Sequence, residues 1–395
     1  MESIRVALAG IGGYGQTYVN QILDHPDARV KVVGLIDPYP EACRRLDELT
    51  AQGVPVYADM EAFFAADRAD LMVISTPIPF HTPQILLALK NGANVLCEKP
   101  LCADEKDIPV LQEACAQAGK FVYIGFQWSY SDAVLALKRD VQAQRFGSCR
   151  EMKTLVLWPR DEDYYHRGIG WAGKIRTADG QLIYDSVLSN ATGHYLHNML
   201  FVMGADGQSV MPERIEAQLW RANPIENFDT AKVDMTFAGG MQAHCLVSHA
   251  VAPQLNPVFM YRFEGATVFY AQSCDEHSAA LTPEWYDRYD HILARTDDGR
   301  VYDYGSPFAD PGRKLNQAVE AALQGETGPG PCGIEAAAAH VRVINWLQKN
   351  AVIRTFAPEQ CRKVHKLTYV DGLFERMLEA YRDPSRPLWE DERHA

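Results

Sequence analysis

The sequence predicts an α/β protein in two parts: a doubly wound parallel sheet at the N-terminus, then an α+β domain on a large, mostly antiparallel open sheet. Three observations carry this reading. Short β-branched runs alternate with amphipathic stretches over residues 4–125. A glycine cluster follows the first of these runs directly. After Gly125 the rhythm changes to longer alternating strands with Gly-rich turns, and helices return late in the chain. The expected domains are 1–127 and 128–382, followed by a tail over 383–395.

Within the first part the expected order is strand 4–9, helix 14–24 and strand 30–36, then helix 41–51 and strand 54–57. A brief helix near 60–65, strand 71–75 and a helix core at 85–90 come next. Strand 94–97, helix 106–118 and strand 121–125 complete the alternation, which is the signature of βαβ units covered on both faces. One more helix is expected at 133–143. Strands follow at 149–157, 215–220, 232–237, 242–249, 258–264 and 266–270, with Gly239-Gly240 and Gly265 at turn positions. Helices are expected at 314–323, 334–349 and 366–381, and the Pro-containing tail is expected to be extended and mobile.

Composition narrows the function classes. Of 395 residues, 47% are apolar and 23% charged, ordinary values for a folded chain. The net charge of −13, with no basic stripe, disfavours nucleic acid and anionic lipid as partners. No apolar run reaches the roughly 18 residues a membrane span needs. Nine cysteines are scattered with no Cys-x-x-Cys pair, and the start of the chain lacks a basic segment before an apolar core. The expectation is reduced thiols in a cytoplasmic protein.

Gly10-Ile11-Gly12-Gly13-Tyr14-Gly15 reads G-x-G-x-x-G between a strand and a helix. Gly10 permits the tight turn, Gly12 lets a pyrophosphate approach the backbone, and Gly15 lets helix and sheet pack closely. Gly13 and Tyr14 complete the turn as cofactor-site candidates. Asp37 closes the second strand about 20 residues on, where a carboxylate accepts from ribose hydroxyls and repels a 2′-phosphate. The pattern points to a Rossmann domain that binds NAD rather than NADP.

Downstream, Ser75-Thr76-Pro77 ends the fourth strand, His81 opens the next helix, and the fifth strand runs into Glu98-Lys99-Pro100. This combination resembles the Gfo/Idh/MocA family, the relatives of glucose–fructose oxidoreductase and inositol dehydrogenase. The resemblance implies that Lys99 contacts substrate hydroxyl and nicotinamide ribose, and that the Lys99–Pro100 peptide is cis. It places Glu98, Thr76, Pro77, His81 and Gln127 at the cofactor, with packing at the helix start as the other reading of His81. On chemistry alone, an ammonium at the carboxyl edge of a parallel sheet can stabilise charge on a carbinol oxygen.

The family's second-domain motif, Asp-x-Gly-x-His, is matched by Asn190-Ala191-Thr192-Gly193-His194, followed by Tyr195-Leu196-His197-Asn198. The resemblance makes His194 the proton acceptor. Asn190 stands where Asp is common, which removes a charge that would raise the basicity of His194, and Asp185 is a candidate to compensate. On a helix Asn190 and His194 would share a face. His197 is either a substrate contact or a core histidine, and no metal site is expected. Residues 158–176 hold two Trp, two Tyr, a His, a Lys and three Arg. Aromatic faces beside charged donors suit a sugar. Arg160, Tyr164, Tyr165, His166, Arg167, Trp171 and Lys174 are therefore substrate candidates, with a subunit-interface loop as the other reading. Trp128 is either a substrate contact or interdomain packing.

The expected function is NAD-dependent interconversion of a secondary alcohol and a ketone on a sugar, cyclitol or glycoside. The site residues are Lys99, His194 and Asn190. The rivals are a redox-neutral glycosidase or lyase and a non-catalytic dinucleotide sensor. The resemblance implies a homodimer or homotetramer through the C-terminal sheet.

Overall fold

Six parallel strands form the first sheet. The structure, a computed structural model, describes residues 3–167, 170–308, 310 and 312–389. In chain order the first elements are β1 (Ile4–Ala9), α1 (Gln16–Asp24), β2 (Val30–Ile36), α2 (Leu46–Thr50), β3 (Val56–Tyr57) and α3 (Met60–Ala66). They continue with β4 (Leu71–Ile74), α4 (His81–Lys90), β5 (Asn94–Cys97), α5 (Asp107–Ala118) and β6 (Val122–Ile124). The strand order is β3-β2-β1-β4-β5-β6, and every pairing is parallel. Val6, Leu8, Leu71, Val73, Val95 and Leu96 are buried, as strands covered on both faces require. The order reverses between β1 and β4, so a crevice opens at their carboxyl ends.

The chain continues through α6 (Asp132–Gln142), β7 (Cys149–Leu157), α7 (Glu162–Tyr165), α8 (Gly193–Met203), β8 (Arg214–Arg221) and β9 (Thr230–Thr236). Next are β10 (Gln242–Ser248), β11 (Leu255–Phe263), β12 (Ala266–Ala271), α9 (Glu276–Ala279), β13 (Leu293–Thr296) and β14 (Val301–Asp303). The last elements are α10 (Arg313–Leu323), α11 (Ile334–Asn350), β15 (Ile353–Thr355), β16 (Cys361–Val364), β17 (Leu367–Val370) and α12 (Leu373–Arg382). Two compact units result. The first takes Met1–Tyr130, Asp206–Gln208 and Asp310–Val341, and the second takes the remainder. Helix α10 therefore belongs to the first unit, where it packs on β1, β4 and β5.

The second unit is built on a nine-stranded sheet ordered β14-β13-β12-β11-β7-β10-β9-β8-β15. The β10–β7 and β15–β8 pairs are parallel and the others antiparallel. Its two faces are covered differently. On one, Asn198 of α8 donates to the Tyr261 hydroxyl at 3.0 Å. On the other, Leu155, Leu246 and Phe269 meet Leu373, Met377 and Tyr381 of α12 and Leu388 beyond it. Alternation along paired β7 and β11 puts Lys153 and Tyr261 on opposite faces. Lys153 donates from the second face to the Arg382 carbonyl at 3.2 Å, which caps α12.

Three expectations change. Residues 366–381 are not one helix: β16 and β17 form a hairpin, and α12 begins only after Gly372, whose φ is +72°. Thr368, Tyr369 and Val370 are strand formers, and pairing with β16 overrides the helical spacing. Residues 41–51 are a 3-10 turn over Pro40–Ala42 and the short α2. The described part of the tail is held in place. Lys232 donates to the Pro384 and Arg386 carbonyls at 2.5 and 2.9 Å, and Leu388 is fully buried. Residues 390–395 of the expected tail, and 168–169 of the aromatic stretch, lie outside the described residues.

Candidate active site

The glycine turn is built so that side chains cannot enter it. Gly10 has φ +79°, and a Cβ there would lie 2.8 Å from the Ser75–Thr76 backbone at the end of β4. A Cβ on Gly15 would lie 1.9 Å from the Gly10 carbonyl oxygen. Gly13–Gly15 is a 3-10 turn that leads into α1, two residues later than the expected helix start. Asp37 braces this turn. One carboxylate oxygen accepts from the Ile11 and Gly12 amides at 3.0 and 3.4 Å, and the other accepts from the Tyr39 amide at 2.9 Å. A backbone cradle without side chains at a helix N-terminus fits a pyrophosphate, so these residues suit a dinucleotide.

The carboxyl end of β5 carries the second motif. The Lys99–Pro100 peptide is cis. Glu98 is 7% exposed, and its carboxylate is enclosed by partners from distant segments. The Tyr18 hydroxyl donates to it at 2.7 Å, the Lys99 amide donates at 3.3 Å, and Lys314 of α10 forms an ion pair with it. A Cβ on Gly125 would sit 2.7 Å from the same carboxylate, so glycine leaves the room it occupies. The Lys314 ammonium also donates to the Tyr14 hydroxyl at 3.1 Å and lies 4.6 and 5.0 Å from the Tyr14 and Tyr18 rings. Burial works against this ammonium, but Glu98 and Tyr14 offset it and its pKa is raised. Lys314 thus joins the glycine turn to the Glu-Lys-Pro corner. Sequence reading missed it, since nothing local separates it from a surface lysine of an amphipathic helix.

His81 is buried, with Nδ1 2.8 Å from the Pro100 carbonyl and Nε2 2.9 Å from the Thr76 carbonyl. It sits between the loops after β4 and β5, and its single neutral-form N–H donates to one of these two carbonyls. Burial lowers its pKa. Thr76 donates through its hydroxyl to Gln84 at 2.6 Å, and Pro77 follows it half-buried. Gln127 opens a 3-10 turn in which Trp128 is 1% exposed, so that indole is packed rather than open to a ligand.

In the second unit His194 stands in the first turn of α8, half-buried, while His197 is buried with its ring stacked on Phe201. Asn190 lies in the turn before α8, so it shares no helix face with His194. Its amide donates to Asp185 at 2.9 Å, and the other Asp185 oxygen accepts from the Gly173 amide at 2.6 Å. Asp185 therefore ties the Asn190 turn to the loop that carries Trp171 and Lys174.

That loop is ordered by rings and guanidinium groups. Asp161 caps α7 by accepting from the Tyr164 amide at 3.2 Å. The Arg167 guanidinium lies 3.5 Å from the Tyr164 ring centre and 4.9 Å from that of Trp171. Arg160 lies 5.1 Å from Tyr164 and 5.5 Å from Trp158. The His249 ring packs edge-on against Tyr164, and its Nδ1 meets the Trp158 carbonyl at 2.8 Å. A carbonyl only accepts, so Nδ1 carries the proton and Nε2 is a buried acceptor without a partner among the described residues. Burial, helped by the charge of Arg160, pushes His249 down to about 3. His249 was missed because it follows a β-strand whose pattern explains every neighbour.

The strand order and glycine turn define a dinucleotide-binding Rossmann unit. Residues 4–126 match the GFO_IDH_MocA family, described as an oxidoreductase family with an NAD-binding Rossmann fold. Inositol 2-dehydrogenase 1 of Mycolicibacterium vanbaalenii is 33% identical over 150 residues, 38% of this chain and 43% of that enzyme. Inositol 2-dehydrogenase of Rhodococcus erythropolis is also 33% identical over 150 residues, 37% of this chain and 42% of that enzyme. The matches thus span less than half the length of these curated relatives. The fold likeness extends further. The WlbA dehydrogenase of Bordetella pertussis, solved with NADH and UDP-GlcNAcA, superposes with a TM-score of 0.69 at 21% identity, covering 89% of this chain and 97% of that one. The aldose–aldose oxidoreductase of Caulobacter crescentus, solved with glycerol, gives 0.67 at 17% identity, covering 89% and 98%. Among the described residues no helix is long and apolar enough to cross a membrane.

Proposed function

We propose that the protein is an NAD-dependent oxidoreductase that interconverts a secondary alcohol and a ketone on a sugar, cyclitol or glycoside. One observation carries the reading: Tyr14 of the glycine turn and Glu98 of the Glu-Lys-Pro corner share the Lys314 ammonium. The cofactor cradle and the corner bearing Lys99 are therefore one built unit. The partial matches to inositol dehydrogenases support a polyhydroxylated substrate.

Gly10, Gly12, Gly13, Tyr14 and Gly15 would hold the pyrophosphate. Asp37 would meet the adenosine ribose, and Thr76, Pro77, Pro100 and Gln127 would border the rest. The Asp37 carboxylate favours NAD over NADP by repelling a 2′-phosphate. When bound, NAD supplies the hydride acceptor. Lys99 stabilises negative charge on the carbinol oxygen, and His194 accepts the hydroxyl proton. Asn190 and Asp185 position the turn ahead of His194. On the family resemblance the chain forms a homodimer or homotetramer. A contact through the large sheet has to be made around α12, which lies over β7 and β10.

The test is incubation with NAD and with NADP against cyclitols, free sugars and glycosides, reading nicotinamide absorbance and product mass together. NADH formation that falls about 10²–10⁴-fold in His194→Ala, and is also lost in Lys99→Ala, is the expected result. Glycoside cleavage without NADH would replace this reading with the redox-neutral one. NAD binding with no turnover of any substrate would replace it with the sensor.

A further inference from the structure

We propose that the aromatic loop of the second unit is an oxyanion seat, in which Arg160 and Arg167, held against Tyr164, take a carboxylate or phosphate ester carried by the sugar. This deepens the oxidoreductase reading and rests on it only for the sugar.

The charges of the loop are sorted. Two of its acids engage the β16–β17 hairpin, Glu162 pairing with Lys363 at 2.5 Å and Asp163 with Lys366 at 2.8 Å, while Asp161 caps α7. Arg160 and Arg167 do not pair. Among the described residues no carboxylate oxygen lies within 4.0 Å of either guanidinium. Each donates to a carbonyl of its own loop, Arg160 to Pro159 at 3.0 Å and Arg167 to Tyr164 at 3.1 Å. A guanidinium has five N–H donors in a planar fork, so each keeps most of its capacity. The surrounding acids are committed elsewhere. Asp185 serves Gly173 and Asn190, while Asp229 accepts from Ala222, Asn223 and Thr230.

No local group neutralises the pair. His249 is neutral near pH 7, and burial raises the Tyr164 phenol above its ordinary value. Two half-buried cations between Trp158, Tyr164 and Trp171 are therefore left for an anion, in a chain whose net charge is −13. Aromatic faces hold a guanidinium through cation–π attraction and strip water from it, but they leave its in-plane donors open. A planar fork of that kind matches carboxylate and phosphate oxygens. Neutral sugars lack the complementary charge.

The experiment is calorimetric titration of the full chain, saturated with NAD, with glucuronate, glucose 6-phosphate and glucose, repeated with Arg160→Gln, Arg167→Gln and Arg167→Lys. One or both anionic sugars are expected to bind at least about tenfold tighter than glucose, with affinity that falls as salt rises. Each Gln variant should lose about 10- to 100-fold for the anion, and Arg167→Lys should lose less. The first two ligands separate a carboxylate seat from a phosphate seat. Glucose binding as tightly as both anions would overturn the proposal, as would no binding of either anion. Gln variants that unfold at the wild-type temperature and keep the anion preference would also overturn it. Anion binding without turnover would sink the oxidoreductase reading and leave the seat standing, whereas turnover of neutral sugars alone would do the reverse.

Discussion

A buried lysine of the first unit and two half-buried arginines of the second are handled in opposite ways. In the first, Lys314 is 3% exposed and fully answered by Glu98, Tyr14 and the ring of Tyr18. In the second, Arg160 and Arg167 are answered by rings and loop carbonyls, with no carboxylate among the described residues within 4.0 Å of either guanidinium. The difference separates building from binding. A charge closed off by its own chain fixes the shape of a corner. A charge left half-open keeps its interaction energy for something that arrives later.

The largest effect should come from breaking the closed pair. Lys314→Met leaves the Glu98 carboxylate buried without its countercharge, and a loss of about 3–5 kcal/mol in stability is expected by denaturant unfolding. Combining it with Glu98→Gln should recover much of that loss, since the cost lies in the orphaned charge. Additive losses instead would mean that the two groups do not act as a pair.

A smaller effect concerns acid. His249 is held down to about 3, against a reference near 6.5 for an unfolded histidine. Between those values the unfolded chain binds a proton that the folded chain refuses. Stability from this group is complete above about pH 6.5 and falls as the pH drops towards 3. His249→Gln should flatten that acid limb in thermal unfolding scans, and Arg160→Gln, by removing a charge that lowers the His249 pKa, should shorten it by raising its lower end. Scans that superpose with wild type would remove His249 from the account.

The smallest effect should come from the ion pairs on the hairpin. Lys363→Gln and Lys366→Gln remove exposed partners of Glu162 and Asp163, and unfolding midpoints within experimental error of wild type are expected. A clear drop would show that these acids help to hold the arginine loop open.

What was legible in the sequence was local. The glycine turn, the strand alternation and the Glu-Lys-Pro corner are written in adjacent residues, and they located the parallel sheet and the large second sheet. Contacts between distant segments were not legible. Lys314 lies 216 residues from Glu98 and sits in a helix whose pattern explains itself. Residues 366–381 read as one helix because the spacing of Leu367, Val370, Leu373 and Met377 suits one, whereas β16 draws the first part into a strand. The tail read as mobile from its prolines, but Leu388 and two carbonyls bound by Lys232 hold it. The proposed roles of His194 and Asn190 rest on resemblance, and the structure adds the Asn190–Asp185 hydrogen bond.

The carboxylate of Asp37 bears on any attempt to re-engineer cofactor preference. It braces the amides of Ile11 and Gly12, and it is also the residue proposed to meet the ribose. Replacing it to admit a 2′-phosphate removes a repulsive charge and, in the same stroke, the internal strut that keeps the glycine turn in shape before any dinucleotide arrives. A redesign at this position therefore needs a second change that restores an acceptor for those two amides. Without it, the turn would lose the pre-organisation that lets it receive either cofactor.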